Sequence, residues 1–523
     1  MPNYAAPGVY VEEVASSQKV LTAAPTAVAA FVGFTEKAPT DDPKDPDGLA
    51  PRLVTSWTQY EQLYGSFCEG AVLPLSVYGY FANGGSVAYI VRIPNSEPSG
   101  KPARAELPAP DRALGLPIAV ESLEPDADIS IVVETNEDGG TDDGPNPFNI
   151  TIRSGGKDVE SFDNLTLGKG DHNVADVINK TSTKVKVEVL IDEATDLSGQ
   201  IEVIRPGTYA LAKAAPTPVP VNGRKFAGSE SSRQGIGGLA VAEDVTMVIV
   251  PDLVTAATKE DGSIDLGLWK SVQTTLISHC EQHGNRMAVL DAPPGMNPQQ
   301  IKEWRSEVAM YDSAYAALYY PWIKVENPIG TNGDAEVVIP PSGHVAGVWA
   351  RTDDSRGVWK APANDTIRGV LDVEYAVTQN EQGLLNPIGI NCIRPFGTRG
   401  IRIWGARTLS SDTDWRYINV RRLFNMVEAT VAEGTQFAVF EPNDMTLWEG
   451  VKRTLNAFLR GLWSQGALFG ASADQAFYVK CDAETNPPET IDQGLMICEV
   501  GIAPVKPAEF VVFRIAQHKQ NSN

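Results

Sequence analysis

Two residue types that carry most protein chemistry are scarce here, with five histidines and five cysteines in 523 residues. The cysteines (Cys68, Cys280, Cys392, Cys481, Cys498) are scattered, odd in number and never spaced CxxC, which argues against both a disulfide framework and a zinc ribbon. Such usage suits a chain that folds in a reducing cytosol. Nowhere do about 18 apolar residues run together, so no transmembrane helix is expected. The opening MPNYAAPGVYVEEV lacks the basic-then-apolar order of a secretory leader. Positive charge is also short: 43 Lys and Arg face 66 Asp and Glu, a formal charge of -23. Nucleic acid is therefore not an expected partner, because phosphate binding needs a basic face. There is no GxSxG, no P-loop and no GxGxxG.

The chain exceeds what one core supports, so three or four domains are expected. Its charge is uneven. Residues 386–523 hold 14 basic and 14 acidic residues, which places the whole acidic excess upstream. Glu121 to Ile150 alone contain nine acids and no base. Arg394 to Arg422 carry seven arginines (Arg394, Arg399, Arg402, Arg407, Arg416, Arg421, Arg422) against Asp412 and Asp414. Two readings fit that stretch: a surface meant for an acidic partner, or arginines that satisfy local loops.

In chain order, Val9 to Val14 read as a short strand after the Pro7-Gly8 turn, with no hairpin partner nearby. Ala27–Phe34 reads as a buried strand. Ser56 and Gln59 make a capping box for a helix stopped by Gly65, and Pro74 opens another that Gly84-Gly85 ends, before a strand over Ser86–Ile93. Between Pro94 and Pro220 the pattern changes to period-two pieces, ISIVVE, FNITIR and KVKVEVLI, which suit an antiparallel sheet with one wet face. From Arg233 to Val325, continuous apolar runs (Val245–Val250, Arg286–Asp291, Ala314–Tyr320) alternate with helical patterns (Ile264–His283, Asn297–Tyr311), which implies a parallel sheet covered on both faces. Ile339–Asn364, rich in glycine with Trp349 and Trp359, reads as an interface or interdomain wrap, the alternative being a core loop with a helix after it. Near the C-terminus a helix over Asp414–Glu433 presents Val420, Phe424, Val427 and Val431 on one face. A strand follows over Phe437–Phe440. A second helix, begun by a Thr446/Glu449 capping box, buries Leu447, Val451, Leu455, Phe458, Leu459, Leu462 and Trp463, leaving Lys452, Arg453, Asn456 and Arg460 outward. Phe510–Ile515 reads as a last strand, again without a local partner.

Catalytic candidates are few. His279 and His283 share a helix at i, i+4, but no third zinc ligand is placed, so solvent-facing or satisfied structural histidines are expected. Asp252 and Asp291 follow parallel strands at the carboxyl ends where α/β enzymes keep their reactive groups. The glycines of Ser232–Leu239 read as a turn, since no GK[ST] follows. The enzymatic alternative is a hydrolase-like α/β protein with an acidic accessory β domain.

The strings RPFGTRGIRIWGARTLS, FEPND, GALFG and APVKPAEFV occur in that order, preceded by PPSGHVAGVWARTD and RGVWKAPAN and by a helix ending FANGG before the strand SVAYIVRI. Together these resemble the contractile tail sheath family. The resemblance implies a structural, non-enzymatic subunit without cofactors or metal, of mixed α/β and α+β multidomain class. Its expected parts are an N-terminal arm (1–20), a central α/β domain with a largely parallel sheet (21–96 and 226–380), an inserted outer β-rich domain (97–225), an α+β C-terminal domain (381–506) and a C-terminal arm (507–523). It further implies strand exchange between subunits through Val9, Tyr10, Val11, Phe510, Val511, Val512 and Phe513. Arg416, Arg421 and Arg422 are the expected contacts with an inner tube, or else Lys452, Arg453 and Arg460. The partners implied are copies of itself in stacked hexameric rings, the tube protein, and baseplate and cap proteins, in a particle made in the bacterial cytoplasm without membrane insertion.

Overall fold

The computed structural model describes residues 21–39, 41–97, 102–110, 115–125, 128–136, 146–168, 170–191, 202–212, 217–330 and 335–515, and the statements below concern these. Val9, Tyr10 and Val11 lie outside them. The chain divides into two compact units, residues 94–220 and the remainder.

The larger unit is built on an eight-stranded mixed sheet. Six strands run parallel in the spatial order Val87–Arg92, Val28–Gly33, Met247–Ile249, Met287–Asp291, Ala316–Tyr320, Ile390–Pro395. Arg52–Val54 and Ile401–Trp404 close the edges antiparallel. Sequence dictates this directly. VAAFVG is buried at every position, because Ala30 and Val32 pack into the core on one face of the sheet while Ala29 and Phe31 pack into the core on the other. Only a strand covered on both sides tolerates an unbroken apolar run. Ile390–Pro395 and Ile401–Trp404, assigned from sequence to the C-terminal domain, are the last strands of this sheet.

Two helices on one face pack against each other, Leu73–Asn83 and Ser342–Arg356. The second corrects the reading of Ile339–Asn364 as an interface wrap. Its glycines serve the interior: a Cβ on Gly343 would stand 2.5 Å from the Ser76 carbonyl oxygen, and one on Gly347 2.5 Å from that of Tyr80. Gly79 returns the favour by admitting the His344 ring. Close backbone approach, rather than turn formation, is what these glycines supply.

The helix expected over Asn297–Tyr311 is α-helical over Pro298–Glu303, with a capping box from Asn297 and Gln300, and widens to a π-helix over Trp304–Ala309. Near Ser56 the expected box is half made. Ser56 caps Trp57–Tyr64, but the Gln59 side chain accepts from Thr55 instead.

The 94–220 unit has its own core. Gly207–Ala210, Ile129–Thr135, Phe148–Ser154 and Lys157–Leu165 form one antiparallel sheet; Val185–Val189, Ile118–Pro125 and Pro102–Leu107 form another. Ile129, Ile131 and Val133 alternate inward against Phe148, Ile150 and Ile152, the period-two pattern of half-buried strands.

Candidate assembly surface

The C-terminal region rests on two helices, Ile418–Gly434 and Met445–Ser464, which share a small core of Leu423, Met426, Val427, Leu459 and Leu462 with the strand pair Phe477–Lys480 and Glu499–Ile502. The first half of Ile418–Gly434 is buried all round, from Ile418 to Leu423. This overturns its expected division into an apolar face and an exposed polar one.

The arginines follow from that burial. Arg422 is 4% exposed and forms a two-pronged ion pair with Asp353 (2.5 and 2.9 Å), donates to the Thr26 carbonyl and stacks on Trp349. Arg421, also 4% exposed, lies over the rings of Trp415 and Tyr315 and donates to Asn425 and Glu428. Both guanidinium groups are engaged inside the chain rather than presented at its surface. Arg416 is half-exposed. Upstream, Arg394 donates to the Val377 carbonyl and Gln382, and Arg402 to the Arg399 and Asn364 carbonyls. Local satisfaction is what most of the cluster does.

Positive charge reaches the surface on the second helix. Arg453 and Arg460 are exposed, and Lys452 is half-exposed in an ion pair with Glu449. Asp444, not Thr446, caps this helix by accepting from the Leu447 amide. The expected Phe437–Phe440 strand is absent: Gln436–Ala438 is a 3-10 turn, and Phe440 is fully exposed in the left-handed region at φ 65. A four-residue apolar run has no ladder to join here, so it stays a loop.

The C-terminal segment is anchored at one residue. Glu509 accepts from Arg407 (2.6 and 2.9 Å), Asn386 (2.7 Å) and Tyr417 (3.1 Å). Burial would raise its carboxyl, but these donors outweigh it and hold it below the usual range. Beyond this clamp the chain turns apolar and stays in solvent, with Phe510, Val511, Val512, Phe513 and Ile515 between 69% and 96% exposed and no strand formed. Phe510 and Val511 border a groove of about 1190 Å³ with Trp359, Phe396 and Trp404.

The buried carboxylates are fully employed. Asp252 accepts from the Phe34, Val72 and Leu73 amides, and Asp291 from the Ser342 amide and hydroxyl (2.9 and 2.6 Å). Burial pushes each up to about 7. Each fixes the start of one of the two glycine-packed helices. His279 is buried beside Arg286 at 3.2 Å, and burial, followed by that guanidinium, lowers it to about 3. Among the described residues no group of three potential metal ligands occurs, and no helix is long and apolar enough to cross a membrane.

An α/β layer whose strand-end carboxylates brace helices is joined to a C-terminal layer that leaves the apolar Phe510–Ile515 exposed. Residues 242–409 match the phage tail sheath protein central domain and residues 410–518 the phage tail sheath C-terminal domain, together more than half of the chain. The chain belongs to the phage tail sheath family. A putative prophage major tail sheath protein of Pseudomonas aeruginosa (strain UCBPP-PA14) is 32% identical over 185 residues, 34% of this chain and 45% of that protein. The tail sheath protein of Burkholderia phage BcepMu is 28% identical over 240 residues, 43% of this chain and 48% of that protein. The chain thus spans less than half the length of these curated relatives. Among solved structures, the PVC sheath complex of an extracellular contractile injection system in its contracted state is similar over 99% of both chains, with a TM-score of 0.57 and 26% identity. A chain of the six-fold symmetrised anti-feeding prophage baseplate is similar over 99% of this chain and 100% of its own, with a TM-score of 0.55 and 26% identity.

Proposed function

We propose that this protein is the structural subunit of a contractile sheath, stacked as hexameric rings around an inner tube within a phage tail or phage-like injection particle, and that contraction drives the tube through a target envelope. The observation that carries the reading is the end-to-end likeness to a contracted sheath chain. The likeness to a chain of a six-fold symmetrised baseplate supports hexameric rings and contact with a baseplate. The enzymatic alternative gains nothing from the relatives, which are structural proteins.

In this reading residues 1–20 and 507–523 are arms that add strands to neighbours, residues 97–225 stand on the outside, and residues 381–506 face the tube. An exposed apolar segment with strand-forming side chains gains main-chain hydrogen bonds when it joins a sheet edge, and the pair Phe477–Lys480 and Glu499–Ile502 offers such edges. For the tube, the exposed Arg453 and Arg460 with Lys452 and the half-exposed Arg416 are the favoured contacts. Surface charge pairs contribute about 0 to 1 kcal/mol each, which permits release when the sheath widens. The extended state is then held kinetically until a trigger at one end relaxes each ring in turn.

Electron microscopy of the purified full chain should give hollow cylinders. Deletion of residues 508–523 should leave a folded monomer that forms none. Cylinders of normal length from the truncated chain would overturn the arm assignment, and dispersed globular particles from the intact chain would overturn the reading itself.

A further inference from the structure

Cys481 and Cys498 take no part in the contacts proposed above. The strands that precede and follow them pair antiparallel, with Phe477 opposite Ile502 and Lys480 opposite Glu499. One step further along the same register, Cys481 stands opposite Cys498. Facing Cα atoms in an antiparallel pair lie about 4.5 or about 5.5 Å apart, according to whether the pair is hydrogen-bonded. Both separations fall inside the roughly 4.4–6.8 Å that a disulfide spans. The two sulfurs stand close enough for each to influence the other's titration.

Asn486, 2% exposed, holds the arrangement in place. Its Nδ2 donates to the Ile497 carbonyl at 2.9 Å and its Oδ1 accepts from the Ile497 amide at 2.7 Å, which fixes the residue before Cys498. The same Nδ2 lies 3.9 Å from Cys481 Sγ. Cys481 is buried at 1% exposed while Cys498 is half-buried, so a reagent reaches the pair through Cys498. Burial pushes both thiols up, Cys498 to about 12 with the neighbouring Cys481 and Glu499 adding to it, while Lys452 acts weakly the other way on each. Cys280 and Cys392 are buried in the core around the central sheet, with Cys68 packed against it.

We propose that Cys481 and Cys498 form an intramolecular disulfide when the chain meets a low-molecular-weight disulfide, making this strand pair an oxidative modification site. The Cys498 thiolate attacks one sulfur of the small disulfide, whose S–S bond breaks to release one small thiolate and leave a mixed disulfide on Cys498. The Cys481 thiol gives up its proton, and its thiolate attacks Cys498 Sγ to form the internal S–S bond, expelling the second small thiolate. The two protons shed by the cysteines end on the two released thiols, so the small disulfide is reduced by two electrons and the cysteine pair oxidised by two. Because thiolate is the attacking species, the conversion accelerates as pH rises. The chemistry does not depend on the sheath reading.

The test is to incubate the full chain with oxidised glutathione at neutral and alkaline pH, quench with acid, and map peptides by mass spectrometry. The expected product is a peptide pair joined through Cys481 and Cys498, lighter by two hydrogens than the reduced pair and formed faster at alkaline pH. Cys481→Ser should stop at a glutathione adduct on Cys498. Cys498→Ser should leave Cys481 unmodified. The wild-type melting temperature should rise on oxidation and that of both variants should not. A wild-type chain that ends as the Cys498 adduct, or that keeps both thiols free while Cys481→Ser gains its adduct, would overturn the assignment. So would a bridge from either cysteine to Cys68, Cys280 or Cys392.

Discussion

At the scale of single residues, charge sorts by depth rather than by count. Arg422 and Asp353 have side chains only 3% and 4% exposed and depend on each other. Removing one partner of a buried pair leaves the other unpaired and costs about 3–5 kcal/mol. Arg422→Ala should therefore lower the denaturant midpoint strongly. Arg422→Lys should recover little, because an ammonium cannot reproduce the two-pronged contact. Arg460→Glu, on an exposed residue, should leave the midpoint nearly unchanged, and equal losses for the two positions would contradict the burial argument. Sequence alone cannot separate these arginines. Arg421 and Arg422 sit among seven in 29 positions, and what distinguishes them is the pairing of Arg422 with a carboxylate 69 positions upstream and the ring of Trp415 beneath Arg421. The cysteine pair escapes sequence reading for a similar reason, since facing positions on a ladder share no spacing motif.

Among the elements, the parallel strands were the most legible, because unbroken apolar runs such as VAAFVG and MAVLD have few other uses. The helix Ser342–Arg356 was the least. Its glycines look like loop material until Leu73–Asn83 is placed beside it. That contact gives a sharp expectation: Gly347→Ala places a methyl group 2.5 Å from the Tyr80 carbonyl and forces the helices apart. Overpacking of this kind costs about 1–3 kcal/mol. The intrinsic helix preference of alanine over glycine runs the other way, by roughly 1 kcal/mol. Thermal unfolding should show net destabilisation, whereas Gly450→Ala, where a Cβ meets nothing within 4 Å, should be neutral or stabilising. The Phe437–Phe440 loop marks the converse limit, since strand propensity without a neighbouring edge does not make a strand.

For the whole molecule, residues 94–220 form a unit with their own apolar core and their ends brought together by the pairing of Ser96–Glu97 with Thr217–Pro218. Replacing this unit with a short glycine linker should leave the rest of the chain folded, with an unchanged melting transition by circular dichroism and, under the sheath reading, cylinders without outer ridges. Failure of the deletion chain to fold would show that the two units depend on each other. The change of character at Pro94 and Pro220 was plain in the sequence. The C-terminal boundary was not, because Ile390–Pro395 and Ile401–Trp404 look as suited to a new domain as to the edge of an old sheet.

The clamp at Glu509 also has a mechanical meaning. Tension applied to the segment beyond it passes first into the Arg407 guanidinium. From there it reaches the Arg407 amide and carbonyl, both held by Asn391, whose Nδ2 also bonds the Leu318 carbonyl two strands into the sheet. Ile390–Pro395 and Ala316–Tyr320 lie parallel at that point. A pull on Phe510–Ile515 is thus shared with the main-chain bonds between Ile390–Pro395 and Ala316–Tyr320, so the clamp ties an exposed segment to the central sheet as well as to the small C-terminal strand pair.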